Sequence, residues 1–217
     1  MKDAKGKLSC SDCGVYNCYR LLGDYPQFCP TPNLDRNLIE DINDKYRYDP
    51  EVSLIARAAA EIEGRFYGKL TRVEEIIEFA HCIGAEKVGV ATCVGLINEA
   101  KVFMKILKAK GLSGHCVVCK VGAEDKRSIG IPEDLKLQKG YHESLCNPIL
   151  QAELLNQEGC GLNVIIGLCV GHDALFMKHS KAPVTTLIVK DRVLGHNPAA
   201  ALYTSGSYYK RVLEPED

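Results

Sequence analysis

The apolar positions separate an amino-terminal stretch without a core from a longer part of the chain that has one. Residues 8–30 hold few aliphatic side chains and many turn-forming residues. Helical spacing of apolar residues begins near residue 34 and continues through two longer segments, residues 50–66 and 71–83. This pattern predicts a small amino-terminal module followed by a helical connector.

From residue 86 onward, apolar runs of strand length alternate with helical segments. The pattern predicts strands near residues 87–92, 114–120, 162–168 and 184–189, with helices near residues 96–110, after Pro148 and from Asp173 to Lys178. Such alternation is typical of βαβ units and a parallel sheet. We therefore predict an α/β fold, with a small parallel sheet of about four strands and flanking helices.

The predicted domain boundaries follow from these changes of pattern. Residues 1–32 form the cysteine-containing module, residues 33–84 the helical connector, and residues 85–217 the α/β domain. The polar segment of residues 122–141 is longer than an ordinary connection, which favours a functional flap. The order of the strands in the sheet is left open by the sequence.

Charge and hydropathy exclude several classes of partner. The chain has 27 Lys and Arg against 28 Asp and Glu, so no net charge attracts nucleic acid or an anionic membrane. It offers no stretch of roughly 18 apolar residues, which a membrane span requires, and its start lacks the apolar region of a signal peptide. We predict a cytoplasmic protein that binds neither nucleic acid nor membrane.

Eleven cysteines, an odd number, make metal ligation a better explanation than a disulfide framework in a reducing compartment. Four of them, the amino-terminal cysteines, are Cys10, Cys13, Cys18 and Cys29. The Cys-x2-Cys pair suits one metal centre. A structural zinc would use two such pairs, whereas Cys29-Pro30 is typical of cluster-binding runs. The spacing predicts a [4Fe-4S] cluster or Zn²⁺, and the alternative is four reduced thiols without a ligand.

The Cys-x2-Cys-x4-Cys order of the first three amino-terminal cysteines also resembles the four-iron motif of corrinoid iron-sulfur proteins, although that motif has a longer last gap.

A second group of thiols is predicted at one edge of the sheet. Cys93, Cys119 and Cys169 each follow a predicted strand, and the carboxyl ends of parallel strands share the edge where α/β sheets bind ligands. Three strand ends span roughly 10 Å, which a multi-metal cluster bridges more easily than one zinc ion. Cys146, before Asn147-Pro148 at a helix start, is the predicted fourth ligand, with His172 as the alternative. Buried cysteines without a ligand remain the other interpretation.

Further polar residues follow the last two strands and form a candidate site for a small anionic ligand. They are His172, Asp173, Lys190, Arg192 and His196. Each also has an ordinary interpretation, since Asp173 can cap a helix and a charged triplet after a strand is often a solvated turn. Cys169 with His172 as its base forms a candidate nucleophile. The chain has no Walker A sequence and no Gly-x-Gly-x-x-Gly after a strand.

The motifs along nearly the whole chain resemble those of the cysteine-rich prokaryotic proteins grouped as domain of unknown function 1847. The similarity is carried by Cys93-Val94-Gly95-Leu96, by Cys119-Lys120-Val121-Gly122, by the run from Gly167 to Asp173, and by His196-Asn197-Pro198. The resemblance implies metal binding and no particular reaction. It also favours a shared site for the polar residues near Cys169.

Together these observations predict a metal-binding protein, iron-sulfur or zinc, with a redox or electron-transfer role. Its partner would be a redox protein or a small anionic ligand. The alternatives are a binding protein with a purely structural zinc and a thiol enzyme that uses Cys169. Whether the protein is an enzyme is left open.

Overall fold

The structure, a computed structural model, describes residues 8–215. Residues 1–7 and 216–217 lie outside this range. The predicted cysteine-containing module begins with the former, and the predicted α/β domain ends with the latter. The chain divides into two compact units, Met1–Arg57 and Ala58–Asp217. The first unit contains helices α1 (Asn17–Arg20) and α2 (Arg36–Tyr48), and the division falls inside helix α3 (Pro50–Phe66).

The second unit is built on a four-stranded sheet in which all neighbouring strands are parallel. The strands are β1 (Lys87–Thr92), β2 (Ser113–Val118), β3 (Leu162–Ile166) and β4 (Val184–Ile188), in the order β2-β1-β3-β4. The helices of this unit are α4 (Arg72–Cys82), α5 (Ile97–Ala109), α6 (Pro148–Gln157), α7 (His172–His179) and α8 (Ala199–Tyr203). The predicted α/β class with a small parallel sheet is confirmed.

Both faces of the sheet are covered, which explains why β1 and β3 are almost continuously apolar. On one face, Ile77 of α4 and Leu107 of α5 belong to one buried cluster with strand residues. On the other face, Leu155 of α6 and Phe176 of α7 belong to a second cluster, which also contains Cys93, Cys119 and Cys160. Helix α4 therefore packs in the core of the sheet unit.

The start of α4 shows how local sequence determines an element boundary. The Thr71 hydroxyl accepts a hydrogen bond from the Glu74 backbone N–H, while the Glu74 carboxylate accepts one from the Thr71 backbone N–H. This reciprocal arrangement satisfies two donors that the first turn leaves free. Thr71-Arg72-Val73-Glu74 is thus a capping box.

Residues 122–145, here called the covering segment, connect β2 to α6 and include the predicted flap. The segment contains two 3₁₀ turns, Lys126–Ile129 and Glu133–Leu135, and one antiparallel bridge between Asp125 and Ser144. Its charged side chains pair with each other, as Lys126 does with Glu143. The segment thus has a defined path without a helix or strand of ordinary length.

Among residues 8–215, no helix combines the length and the apolar character needed to cross a membrane.

Candidate functional site

The strand order brings three of the predicted site cysteines to one edge of the sheet. Cys119 follows β2, Cys93 follows β1 and Cys169 follows β3, and these strands are neighbours in that order. The Cys119 backbone N–H donates to the Thr92 carbonyl at 2.8 Å, and the Cys93 backbone N–H donates to the Ile166 carbonyl at 3.2 Å. Cys93, Cys119, Cys146 and Cys169 are called the sheet-edge thiols below.

Cys119 and Cys146 are brought together at the edge of the sheet. The backbone N–H of Asn147 donates to the Cys119 carbonyl at 2.7 Å, which holds the start of α6 beside the end of β2. Cys146 packs against the buried cluster that contains Cys119. Cys119 is only 2% exposed, whereas Cys146 is partly exposed. The two thiols therefore lie in one apolar cluster but differ in their access to solvent.

The surroundings of the two thiols shift their pKa values in opposite directions. The hydrogen bond from Cys119, assisted by a hydrogen bond and the charge of Lys120, lowers the pKa of Cys146 to about 5. The same thiol–thiol hydrogen bond, together with burial, raises the pKa of Cys119. Of the two thiols, Cys146 is therefore the one that ionises more readily.

Two further groups help to hold this charge distribution. The Lys120 ammonium also donates to the Ser144 carbonyl at 2.6 Å, which fixes the lysine between the covering segment and Cys146. The charge of His172 makes a smaller favourable contribution to the Cys146 thiolate. At Cys119, the Val94 backbone N–H donates to the sulfur at 3.4 Å.

Cys93 and the ammonium of Lys190, which follows β4, both lie near Gly95. A methyl group added at Gly95 would lie 3.3 Å from Lys190 Nζ and 3.9 Å from Cys93 Sγ. Because Gly95 has no side chain, both the Lys190 ammonium and the Cys93 sulfur can lie near it. The lysine stem runs past Gly167, where an added methyl would lie 3.7 Å from Lys190 Cδ.

Cys169 contacts an arginine at the entrance to α7. Arg192 Nη2 donates to Cys169 Sγ at 2.9 Å. The backbone N–H of His172 donates to the Cys169 carbonyl at 2.9 Å as the helix begins. The interpretation of Cys169 as a nucleophile stays a prediction, and its observed charged contact is Arg192.

Two other predicted ligand-binding residues have local roles. The Asp173 carboxylate accepts from the Ala174 backbone N–H at 2.8 Å. His196 Nδ1 accepts from the Asp191 backbone N–H at 3.2 Å and so stabilises the turn that follows Lys190. Their proposed contact with an anionic ligand stays a prediction.

The amino-terminal cysteines lie in the first unit, in a loop closed by its backbone. The Ser9 N–H donates to the Phe28 carbonyl at 3.1 Å, so the chain beside Cys10 meets the chain beside Cys29. The Cys13 N–H donates to the Cys10 carbonyl at 3.2 Å, and Cys18 lies in α1. Within residues 8–215, no three Cys, His, Asp or Glu side chains are arranged to hold one metal ion. Both predicted metal sites therefore stay predictions.

Sequence reasoning missed two residues of the sheet-edge site, Gln151 and Lys120. Gln151 is fully buried on α6, and its Nε2 donates to the carbonyls of Thr92, at 3.2 Å, and Val117, at 2.7 Å. It thus joins the carboxyl ends of β1 and β2, immediately before the cysteines. Two features of the sequence could have indicated these residues. One is a glutamine among the apolar residues of α6, and the other is a lysine adjacent to Cys119.

We expect Gln151→Met to lower the free energy of unfolding by about 1–3 kcal/mol, because two buried hydrogen bonds are lost while side-chain volume is retained. Urea denaturation of the variant and of Gln157→Met, at the end of the same helix, measures the difference. Equal stability of wild type and Gln151→Met would show that the glutamine does not hold the strand ends.

Two depressions on the surface differ in their relation to these residues. One, of about 360 Å³, is lined by Lys120, Leu137, Gln138, His142, Glu143 and Ser144, and so adjoins the lysine that contacts Cys146. Another, of about 500 Å³, lies at the opposite, amino-terminal edge of β1 and β2, beside Glu86 and Ser113. Only the first adjoins the sheet-edge thiols.

Comparison with known proteins places the chain in a family. The family model described as "Protein of unknown function (DUF1847)" matches residues 29–187. The chain belongs to this family. The match confirms the family resemblance that the sequence motifs indicate. The match includes all four sheet-edge thiols and Cys29, whereas Cys10, Cys13 and Cys18 precede it.

A relative of similar length comes from Methanocaldococcus jannaschii. Its uncharacterized protein MJ0455 is 44% identical over 207 residues, which cover 95% of this chain and 99% of the relative. The two chains are therefore similar along nearly their whole length, including the region that precedes the family match.

Proposed function

We propose that this DUF1847 family member is a cytoplasmic metal-binding protein with a redox role, whose amino-terminal cysteines hold an iron-sulfur cluster or a zinc ion. The proposal assigns the metal to Cys10, Cys13, Cys18 and Cys29. A metal bound there would link four positions within a short loop by strong metal–thiolate bonds.

The observation that carries this proposal is a closed loop with almost no core. In residues 8–30 the backbone is closed by the Ser9–Phe28 hydrogen bond, yet Cys29 is the one residue classed as buried. Leu21 and Leu22 are exposed. A loop of this size without buried apolar surface needs another source of stability, and metal binding commonly provides it in small cysteine-rich modules.

The backbone of the same loop supports the need for an additional bond. Tyr16 and Leu21, on either side of α1, both adopt the left-handed conformation, with φ of 50° and 51°. Such a conformation costs roughly 1–2 kcal/mol for a residue with a side chain. Ligation of Cys18, which lies between them, would offset this cost.

The donor set fits either metal and leads to different roles. Four thiolates bind Zn²⁺ tetrahedrally or hold a four-iron cluster. Only the cluster undergoes one-electron chemistry, so the redox role depends on iron. A structural zinc would instead make the loop a stable binding module.

We expect full-length protein purified without oxygen to contain about four iron and four sulfide per chain, with visible absorbance, or about one zinc without it. Cys13→Ser should lose most of this metal because one of four ligands is removed. Elemental and sulfide analysis measures the content, and Cys82→Ser, which removes an exposed thiol on α4, is the control.

Circular dichroism of the Cys13→Ser variant checks that the sheet unit remains folded, and Cys18→Ser repeats the test at a second ligand. Metal absent from the wild type, or retained in full by both variants, would overturn the proposal.

A further inference from the structure

The carboxyl ends of β1 and β3 lie where the order of the strands reverses. From β1 the chain passes through α5 to β2 on one side, and from β3 it passes through α7 to β4 on the other. Leu107 of α5 belongs to the buried cluster on one face of the sheet, and Phe176 of α7 to the cluster on the opposite face. The two connections therefore diverge, and parallel sheets bind their ligands in the crevice that such a reversal opens.

We propose that this place, here called the switch-point crevice, binds the phosphate group of a small molecule through Lys190, Arg192 and the loop of residues 167–171. Both cationic residues belong to the candidate anion site that the sequence indicates. The site lies in the sheet unit and uses none of the amino-terminal cysteines, so it goes beyond the proposed metal site.

Lys190 supplies the first positive charge. An added methyl at Gly167, after β3, would lie 3.7 Å from Lys190 Cδ, and one at Gly95, after β1, would lie 3.3 Å from Lys190 Nζ. The half-buried side chain therefore extends from the end of β4 past the end of β3 towards the connection that follows β1. Among residues 8–215, no carboxylate pairs with this ammonium and no acceptor takes a hydrogen bond from it.

Arg192 supplies the second positive charge. Its Nη2 donates to Cys169 Sγ at 2.9 Å, which holds the guanidinium beside the loop that follows β3. In the described part of the chain no carboxylate pairs with it, since the nearby Asp191 carboxylate accepts from the backbone N–H groups of Val193 and Leu194. A guanidinium has five N–H donors, so several remain for a ligand.

The loop that follows β3 offers backbone donors that the protein leaves unpaired. Within the described residues, no backbone carbonyl and no side chain accepts a hydrogen bond from the N–H groups of residues 168–171. Leu168 is only 2% exposed, so bulk water has little access to its N–H. Buried backbone N–H groups are nearly always paired, and one without a protein acceptor indicates an ordered water or a ligand. Successive N–H groups of a loop commonly bind an anion.

The donors of helix α7 are not part of the site. The N–H groups of His172 and Asp173 both donate to the Cys169 carbonyl, at 2.9 and 3.1 Å, and that of Ala174 donates to the Asp173 carboxylate. The helix thus uses these donors within the protein, and the ligand is left to the loop and the two cations. Asp173 and His196, which have local roles, are not assigned to the site.

Two cations without carboxylate partners suit a ligand with two negative charges. A phosphate monoester carries a charge of about −1.5 to −2 at neutral pH and presents three strong acceptor oxygens. A single carboxylate would neutralise only one of the two cations. The phosphate group is therefore the chemistry shared by two sources, inorganic phosphate and a phosphorylated small molecule.

The test titrates full-length protein with inorganic phosphate by isothermal calorimetry at low ionic strength. We expect the wild type to bind with a Kd below about 1 mM. Lys190→Met and Arg192→Gln should each bind at least about tenfold more weakly, because a charge-assisted contact is lost. Lys178→Met, which removes an exposed lysine on α7, should bind as the wild type does.

Phenyl phosphate in the same titration separates the two sources. Tighter binding of the ester than of inorganic phosphate would identify the ligand as a phosphorylated small molecule, whereas weaker binding would identify it as free phosphate. Either result supports a phosphate site.

A second variant moves the ammonium and keeps its charge. The methyl group of Gly95→Ala would lie 3.3 Å from Lys190 Nζ, so the ammonium has to shift. We expect phosphate binding to weaken severalfold. Gly64→Ala is the control, because nothing lies within 4 Å of its added methyl. Circular dichroism checks that both variants keep the fold of the wild type.

The proposal is overturned if the wild type gives no saturable heat with phosphate. It is also overturned if Lys190→Met and Lys178→Met weaken binding equally, since the attraction would then be non-specific. The same holds if Cys93→Ser and Cys169→Ser lose metal that Cys13→Ser keeps, because the loop and the cations would then surround a bound cluster. Cys13→Ser should retain full phosphate binding, so failure of the amino-terminal metal proposal and failure of this one are distinguishable.

Discussion

Replacement of Gly167 by alanine is expected to lower the free energy of unfolding by about 2–5 kcal/mol, the sum of a backbone cost and a steric cost. Gly167 follows β3 with φ of +68°, a conformation unfavourable for a residue with a side chain. An added methyl would also lie 1.9 Å from Cδ1 of Leu96, a buried residue before α5. Leu96 cannot yield without disturbing the core.

A matched substitution separates the two costs. Gly84 has a similar φ of +72°, but nothing lies within 4 Å of the position of an added methyl. Gly84→Ala should therefore cost only the backbone contribution, about 1–2 kcal/mol. Urea denaturation followed by circular dichroism measures both variants. Equal losses would mean that the contact with Leu96 contributes nothing, contrary to the packing described above.

The substitution at Gly167 should also affect the sheet-edge thiols. Leu96 lies in the connection that carries Cys93, and Gly167 lies two residues before Cys169. A methyl group at Gly167 would push against Leu96 and so disturb the two connections, and it would also lie 3.7 Å from Cδ of Lys190. The glycine is thus needed both for the turn and for the approach of the two cysteine-bearing loops.

The strands β1 and β3 could be predicted closely because nearly all of their residues are buried and apolar. The strand expected near residues 87–92 is Lys87–Thr92, and the helix expected over residues 50–66 is Pro50–Phe66. The end of β2 was less well predicted. Cys119 continues the apolar run in sequence, yet the strand ends at Val118, before the chain turns into the covering segment.

The site could be predicted only in part. Parallel strands must end at one edge, so the gathering of the strand-end cysteines follows from the pattern once the strands are adjacent. The pairing of Cys119 with Cys146 does not follow, because it depends on the path by which residues 122–145 return to β2. Polar contacts within the segment determine that path. The spacing of hydrophobic residues does not predict such contacts.

Lys136 illustrates such a contact. Its side chain is completely buried, although lysines are rarely buried unless paired. The ammonium donates to both oxygens of Glu133, at 3.2 and 3.1 Å, and to the Tyr141 carbonyl. The Glu133 carboxylate also accepts from the Gly140 backbone N–H, and these contacts hold the pKa of Glu133 below its usual range. One lysine thereby fixes both ends of a turn.

We expect Lys136→Met to increase cleavage within residues 122–145 at least about tenfold under limited proteolysis, because local opening of the segment becomes easier. Methionine keeps the apolar stem but leaves the Tyr141 carbonyl and the Glu133 carboxylate without the ammonium. Mass spectrometry of the fragments locates the cleavage. Lys139→Met, an exposed position in the same turn, should leave the rate unchanged.

Lys136→Met should also affect Cys119 and Cys146, because the Ser144 carbonyl holds Lys120 beside Cys146. Opening of the covering segment would release Lys120 from this position and so remove one of the groups that stabilise the Cys146 thiolate. If Lys136→Met and Lys139→Met were cleaved at the same rate, the buried ammonium would not be what holds the segment closed. The order of residues 142–145 would then have to come from the Asp125–Ser144 bridge and the Lys126–Glu143 pair.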